Sequence, residues 1–225
     1  AGLYGDFMIE TDHHVGSILK FLDDNNLAKN TMVVFTSDNG PARTYSERAE
    51  KYNHHSGGGL RGGKRDLYEG GHRVPFIIRW PNAIKAGSVT HETVCQTDLL
   101  ATFADIVGTP LKDNEGEDSF SLKPIFSGQE LDRAPVIHGT GGGILAIRDG
   151  DWKLSMKDRK APKQLVNLKD DLREENNLLD KNPAKVEELT KKLTTIILNG
   201  GSKPDKKTSN DGPKSWPQIK WILKQ

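Results

Sequence analysis

Apolar positions recur with a helical period through the first part of the chain. Between residues 5 and 28 they follow spacings of three and four, with charged residues on the other faces. This pattern predicts an amphipathic helix, which Asn25 and Asn26 end. The periodic positions are Phe7, Met8, Val15, Ile18, Leu19 and Leu22.

The next segments predict an alternation of strand and helix. Residues 31–36 are a short β-branched and apolar run between turn residues, which is typical of a buried strand in a parallel sheet. A strand is also predicted at 74–80 and a helix at 97–107, ended by Gly108. Residues 41–75 have no clear period and are predicted to be a long functional loop.

The pattern changes to short strands after about residue 134. Asp149-Gly150 is a strong signal for a hairpin, and Pro183 opens a helix that runs to residue 198. The predicted strands are residues 136–138, 144–148, 152–156 and 164–168. The tail is predicted to be anchored by Trp216, Ile219, Trp221 and Ile222.

Composition excludes several classes of partner. The 225 residues suit one large domain, or one medium and one small domain. Lys and Arg (32) nearly balance Asp and Glu (31), so no basic field indicates nucleic acid. The sequence contains no run of eighteen apolar residues, so no membrane span is predicted. No leader is visible, and we expect the first residues to be internal to a longer protein.

Hard oxygen ligands follow the strand predicted at 31–36. Asp38 and Asn39 offer a carboxylate and an amide oxygen, which suit Ca²⁺ or Mg²⁺. Two ligands do not complete a calcium shell of about six to eight oxygens, so the others must come from elsewhere. The alternative interpretation is a simple turn at the end of a strand.

Residues 60–75 combine four glycines with six charged side chains. Lys64, between glycines that allow close backbone approach, could bind an oxyanion as a point charge. The alternative is a solvated surface lysine. His72 and Arg73 could serve the same site, although Arg73 could instead pair with Glu69 or Asp66 as a structural clamp.

Other histidines are weaker candidates. His55 lies in the segment without period and could line a cleft, whereas His13 and His14 are expected on a helix surface. His138 ends a predicted strand and could also reach a cleft, the alternative being a histidine with a structural partner.

The order of these motifs resembles the type I (arylsulfatase-like) sulfatases of the alkaline-phosphatase superfamily. The resemblance covers nearly the whole chain and fades after about residue 200. It rests on residues 36–40 (TSDNG), 60–64 (LRGGK) and 68–75 (YEGGHRVP), and continues at 80–81 (WP), 97–102 (TDLLAT), 146–154 (AIRDGDWKL) and 165–171 (LVNLKDD).

The resemblance implies roles for particular residues. Asp38 and Asn39 would be two of four protein ligands to a divalent cation, usually calcium, with magnesium as the alternative. Lys64 would contact the sulfate and the leaving-group region. The family hydrolyses sulfate esters with a formylglycine hydrate as nucleophile. His72 occupies a variable position and receives no catalytic role, so with His55 and His138 it stays a candidate for substrate binding.

The chain departs from the family pattern at the nucleophile. Formylglycine derives from a cysteine in a Cys-x-Pro-Ser/Ala-Arg motif, whereas the single cysteine, Cys95, precedes Gln96-Thr97-Asp98. The resemblance is therefore to the C-terminal portion of a sulfatase, which requires the remainder of the domain and is not expected to turn over substrate alone. Periplasmic, secreted or lysosomal localisation is what the family implies.

The expected fold is α/β. Residues 1–125 would form the C-terminal part of a large, mixed-sheet, alkaline-phosphatase-like domain that is incomplete at its N-terminal side. Residues 126–225 would form a small antiparallel sheet with one packed helix and an extended tail. The favoured function is hydrolysis of a sulfate ester, by family frequency on a carbohydrate. The alternatives are a phosphonate or phosphodiester hydrolase of the same superfamily and a non-catalytic domain that binds sulfated glycan.

Overall fold

The chain folds as two compact units, Ala1–Val89 and Thr90–Gln225. The computed structural model describes residues 2–42, 44–157, 162–204, 206, 208 and 216–222. None of the helices within these ranges is long and apolar enough to cross a membrane. The boundary near residue 125, between a large sulfatase domain and a small subdomain, concerns the whole protein and stays a prediction.

The first unit contains the long helix and a pair of strands. Helix α1 spans Gly2–Asp24, as predicted, and Asn26 beyond it adopts a left-handed φ of 57°. Strands β1 (Val33–Thr36) and β2 (Phe76–Arg79) pair with each other, joining Val33 to Arg79 and Thr36 to Phe76. A turn of 3₁₀ helix, Ala28–Asn30, lies between α1 and β1.

Two expectations for this unit were wrong. Strand β1 pairs antiparallel with β2 and is half-buried, whereas a buried strand of a parallel sheet was predicted. The apolar run identified the strand but carries no information on its neighbour's direction. The segment 41–75 also contains helix α2 (Tyr45–Tyr52) and the single turn α3 (Glu69–His72). Helix α2 was missed because most of its eight residues are polar.

Much apolar surface of the first unit faces solvent. Helix α1 contains no buried residue, although it is amphipathic. A two-stranded sheet is too small to cover such a helix. The exposed apolar side chains are Leu3, Phe7, Met8, Ile9, Ile18, Phe21, Leu27, Phe35 and Ile77.

The second unit has its own core. Its four strands form one antiparallel sheet in the order β3-β4-β5-β6, and the predicted hairpin is confirmed, with Gly150 at a φ of 56° between β4 and β5. The elements are α4 (Asp98–Val107), α5 (Lys123–Phe126), β3 (Val136–Gly139), β4 (Leu145–Asp149), β5 (Trp152–Ser155), β6 (Gln164–Asn167) and α6 (Pro183–Asn199), with 3₁₀ turns at Leu179–Lys181 and Pro217–Ile219. The fully buried cluster is Ile147, Leu154, Leu165, Leu189 and Leu193.

The tail is anchored as the sequence predicted. Ile219 is buried, Trp221 packs against the core, and the indole Nε1 of Trp221 donates to Oγ1 of Thr194 at 3.1 Å. The prediction for residues 202–215 falls largely outside the described residues.

Two buried ion pairs fix loops to the second unit. Nζ of Lys153 lies 2.9 Å from Oε1 of Glu174, and both side chains are fully buried. Nη1 of Arg133 lies 2.5 Å from Oδ2 of Asp98 at the start of α4. Burial raises the pKa of Asp98 above its ordinary value, and the charge of Arg133 opposes part of that rise. Both pairs connect segments distant in sequence, so they help to set the fold of the unit.

Candidate active site

The proposed cation ligands lie on a short turn after β1. Asp38 is exposed and Asn39 is half-buried. The hydroxyl of Ser37 donates to the carbonyl oxygen of Asn39 at 3.0 Å, and Nδ2 of Asn39 donates to the carbonyl oxygen of Gly40 at 2.9 Å. The amide nitrogen is a hydrogen-bond donor, so Oδ1, which carries the lone pairs, is the side-chain atom of Asn39 that can ligate a cation.

Gly40 and Pro41, which follow this turn, form backbone hydrogen bonds with the glycine-rich segment 60–75. The N–H of Gly40 donates to the carbonyl oxygen of Gly71 at 3.0 Å. The carbonyl oxygen of Pro41 accepts from the N–H of Lys64 at 2.8 Å. The backbones that carry Asp38, Lys64 and His72 therefore lie side by side at one end of β1.

Glycine is required where these backbones cross. A Cβ atom on Gly40 would lie 1.7 Å from the carbonyl oxygen of Gly70. A Cβ on Gly70 would lie 2.5 Å from the carbonyl oxygen of Arg61, and one on Gly71 would lie 2.3 Å from that of Asp66. The glycines therefore serve close backbone packing around the site.

Lys64 extends from a tight, strained turn. The N–H of Gly63 donates to Oδ2 of Asp66 at 2.9 Å, and the N–H of Asp66 donates back to the carbonyl oxygen of Gly63 at 3.0 Å. Arg65 between them has a φ of 78°, a left-handed conformation that costs free energy in a residue other than glycine. Lys64 itself is exposed, so its ammonium group can meet an anion from solvent.

One buried carboxylate contacts both His72, which ends α3, and Arg73, which follows it. Glu69 is 1% exposed. Its Oε2 accepts from Nε of Arg73 at 2.7 Å, and its Oε1 lies 3.1 Å from Nε2 of His72. The clamp interpretation of Arg73 is thereby confirmed, with Glu69 as its partner. The shared role of Glu69 was missed, although spacings of three and four residues on a helix indicate it.

The other two candidate histidines lie on different segments of the chain. His55 is exposed in the turn after α2, and its Nε2 lies 3.3 Å from Oδ1 of Asn53. His138 is half-buried on β3 of the second unit, opposite Ala146 of β4. Their roles in substrate binding stay predictions. His13 and His14 are exposed on α1, as expected.

The donors at Asp38 and Asn39 can be compared with what a cation site requires. Within the described ranges, no group of three or more His, Cys, Asp or Glu side chains could hold a metal ion. Asp38 and Asn39 supply two hard oxygens, so the donors fit calcium in kind but not in number. Cys95 lies in the second unit, where its N–H donates to Oδ2 of Asp98 at 2.7 Å.

Comparisons with known proteins identify the same family. The family model described as Sulfatase matches residues 1–109. An N-acetylgalactosamine-6-O-sulfatase of Bacteroides thetaiotaomicron is 32% identical over 215 residues, which are 87% of this chain and 42% of that protein. Arylsulfatase A of Homo sapiens is 37% identical over 158 residues, covering 68% of this chain and 30% of that protein.

A solved structure agrees with the sequence relatives. It comes from work on the metabolism of multiple glycosaminoglycans by Bacteroides thetaiotaomicron, and superposes with a TM-score of 0.76 at 30% identity. The match covers 85% of this chain and 44% of that one. The chain spans less than half the length of each of these relatives. With the motifs at residues 36–40, 60–64 and 68–75 in one interlocked arrangement, the chain belongs to the sulfatase family of the alkaline-phosphatase superfamily.

Proposed function

We propose that this chain forms the C-terminal part of a sulfatase that hydrolyses a sulfate ester on a carbohydrate. The observation that carries the proposal is the pair of backbone hydrogen bonds from Gly40 to Gly71 and from Lys64 to Pro41. They hold a turn with two oxygen ligands beside a turn with an exposed ammonium group. A hard cation and a lysine on neighbouring segments are suited to binding a doubly charged oxyanion.

Asp38 and Asn39 would hold the cation, which we propose to be calcium, with magnesium as the alternative. When bound, the cation supplies positive charge that stabilises the negative oxygens of the transferring sulfuryl group. Lys64 would donate to the ester oxygen or a sulfuryl oxygen and favour the charge that develops there. The nucleophile, proposed to be formylglycine, would come from outside this chain.

The choice of a carbohydrate substrate is supported by the relatives. One is named for the 6-O-sulfate of N-acetylgalactosamine, and the superposed structure comes from work on glycosaminoglycans. We propose that helix α2 and its flanking turns, which include His55, face the leaving group. His72, whose Nε2 contacts Glu69, is proposed to contact substrate from the glycine-rich segment 60–75. His138, on β3, is also proposed to contact substrate.

The remainder of the sulfatase domain is the proposed partner of the first unit. The apolar side of α1 is exposed at Phe7, Ile18 and Phe21. The strands expose Phe35 on β1 and Ile77 on β2. An apolar surface of this extent is typical of an interface. The missing cation ligands and the nucleophile would arrive with the polypeptide that covers it. Periplasmic, secreted or lysosomal localisation is proposed on the family resemblance alone.

The proposal is tested with the protein expressed from its full open reading frame. Intact-mass spectrometry should detect a cysteine converted to formylglycine, and sulfated monosaccharides should be hydrolysed. Lys64→Ala should lower kcat/KM by about 10²- to 10³-fold, the loss typical of one donor to a developing oxyanion. Lys29→Ala, an exposed lysine of the same unit, is the matched control. An unmodified protein that cleaves phosphonates but no sulfate ester would contradict the proposal.

A further inference from the structure

Helix α2 begins directly beside the turn that carries Lys64. The N–H of Tyr45 donates to the carbonyl oxygen of Ala42 at 2.9 Å, so the helix follows Pro41 within one turn. Pro41 is the residue whose carbonyl oxygen binds the N–H of Lys64. A single short segment therefore connects the turn that carries Asp38 and Asn39, the start of α2 and the backbone of Lys64.

The ring of Tyr45 lies against the residue that precedes Lys64. A Cβ atom on Gly63 would lie 2.7 Å from Cε1 of Tyr45 and 2.7 Å from the carbonyl oxygen of Pro41. Gly63 is buried and Tyr45 is half-buried. The turn is thus held by the hydrogen bond from Lys64 to Pro41, and the ring of Tyr45 fills the space into which a side chain at Gly63 would project.

Arg48 braces helix α2 against its surroundings. Nη1 of Arg48 donates to Oγ1 of Thr44 at 2.8 Å, and its Nε donates to Oγ of Ser56 at 3.1 Å. The guanidinium of Arg48 also stacks 4.0 Å above the ring centre of Tyr4 in α1. One side chain therefore ties the start of α2, the turn after it and the long helix together.

We propose that Tyr45 is a positioning residue for Lys64: its ring fixes the backbone of Gly63 and thereby the direction in which the ammonium group extends. This inference rests on the proposed function, in which Lys64 contacts the sulfate ester. Lysine has a long, flexible side chain. The fold can therefore direct its ammonium group only by fixing the α-carbon and the conformation of the turn that carries it. A displacement of about 1 Å at a catalytic group can cost about 100-fold in rate.

The test is a double-mutant cycle in the protein from its full open reading frame. Tyr45→Ala should lower kcat/KM for a sulfated monosaccharide by about 10- to 100-fold. In a Lys64→Ala background the same change should have almost no further effect, because it acts through the lysine. Tyr45→Phe keeps the ring and should restore most of the activity.

Controls separate positioning from general loss of structure. Phe103→Ala removes an aromatic ring of α4 that is 43% exposed, and it should leave activity within about twofold of wild type. Tyr45→Leu keeps apolar volume if the alanine variant does not fold, and it should show the same dependence on Lys64. Thermal unfolding measured alongside reports whether each variant is folded.

The outcomes are distinguishable. If Tyr45→Ala lowers kcat/KM by the same factor with and without Lys64, or lowers it with neither, the positioning role is wrong while the proposed function stands. If the wild-type protein hydrolyses no sulfate ester, or Lys64→Ala is fully active, the proposed function itself is wrong and the inference falls with it.

Discussion

The α-carbon of Gly40 lies so close to the carbonyl group of Gly70 that a Cβ atom on Gly40 would sit 1.7 Å from that oxygen. The contact joins two backbones, so rotation of a side chain cannot relieve it. It places the end of β1 and the segment that carries His72 in direct contact at the proposed site. The turn that carries Asp38 and Asn39 is thus built on this crossing.

Gly40→Ala should therefore disrupt the first unit and the site together. We expect a loss of about 3 kcal/mol or more in the free energy of unfolding, since overpacking against backbone is at the costly end of its range. Chemical denaturation and sulfate ester hydrolysis measure the two effects. Gly141→Ala, where no atom lies within 4 Å of the new Cβ, should change stability by less than about 0.5 kcal/mol. A fully stable and active Gly40→Ala protein would contradict the described crossing.

Asp38→Asn should weaken calcium binding without unfolding the protein. Asp38 is exposed, so the change removes one negative charge and few packing contacts. We expect calcium affinity in the protein from its full open reading frame to fall at least about tenfold, measured by calorimetry, with kcat/KM falling in parallel. Asp12→Asn, an exposed carboxylate on α1, should leave both values unchanged. Unaltered calcium affinity in Asp38→Asn would show that Asp38 is not a ligand.

The sequence predicted some of these relationships better than others. The period of α1 is strong over more than five turns, and the Asp149-Gly150 hairpin is encoded locally, so both could be read directly. The direction of β1 relative to β2 depends on a strand forty residues away, which the pattern of β1 does not record. Helix α2 is polar and short, and Tyr45 at its start packs against Gly63, a contact between distant segments that the pattern of α2 does not record.

The candidate site shows the same limit. The residue types at Asp38 and Lys64 indicated a cation and an oxyanion, and the motif order indicated that both serve one site. The bonds that join their segments depend on the crossing of Gly40, Gly70 and Gly71, which glycine content alone cannot specify.

Breaking the buried pair of Lys153 and Glu174 should strongly destabilise the second unit. Lys153→Met alone should cost about 3–5 kcal/mol, because it leaves a buried carboxylate without its ammonium partner. Replacing both residues, by Met and Leu, should recover most of that loss. Urea denaturation of the two single variants and the double variant measures the coupling. Lys112→Ala, in an exposed pair with Glu115, should cost less than about 1 kcal/mol. Additive costs in the cycle would contradict this account.

Protonation of Asp171 should make the second unit less stable in acid. Burial raises the pKa of its carboxyl, but the N–H groups of Asn176 and Glu175, at 2.7 and 3.1 Å, outweigh that and hold the pKa below its ordinary 3.8. A lowered pKa in the folded state gives stability that is present above pH 3.8 and is lost as the pH falls through the folded value.

Asp171→Asn provides the check on this pH dependence. The stability difference between wild type and Asp171→Asn should be largest near neutral pH and shrink as the pH falls below about 4. Denaturation curves from pH 7 to about 3 measure it. Asp170→Asn, at the exposed neighbouring position, is the control. A difference that is constant across this range would contradict the assignment.

The most direct test of the central claim is a crystal structure of the protein from its full open reading frame, grown with calcium and a sulfated monosaccharide. We predict that oxygens of Asp38 and Asn39 lie about 2.3–2.6 Å from one calcium ion. Nζ of Lys64 should lie within hydrogen-bonding distance, about 2.7–3.2 Å, of the same sulfate ester. A sulfate ester bound elsewhere, with Lys64 turned away from the cation, would contradict the account.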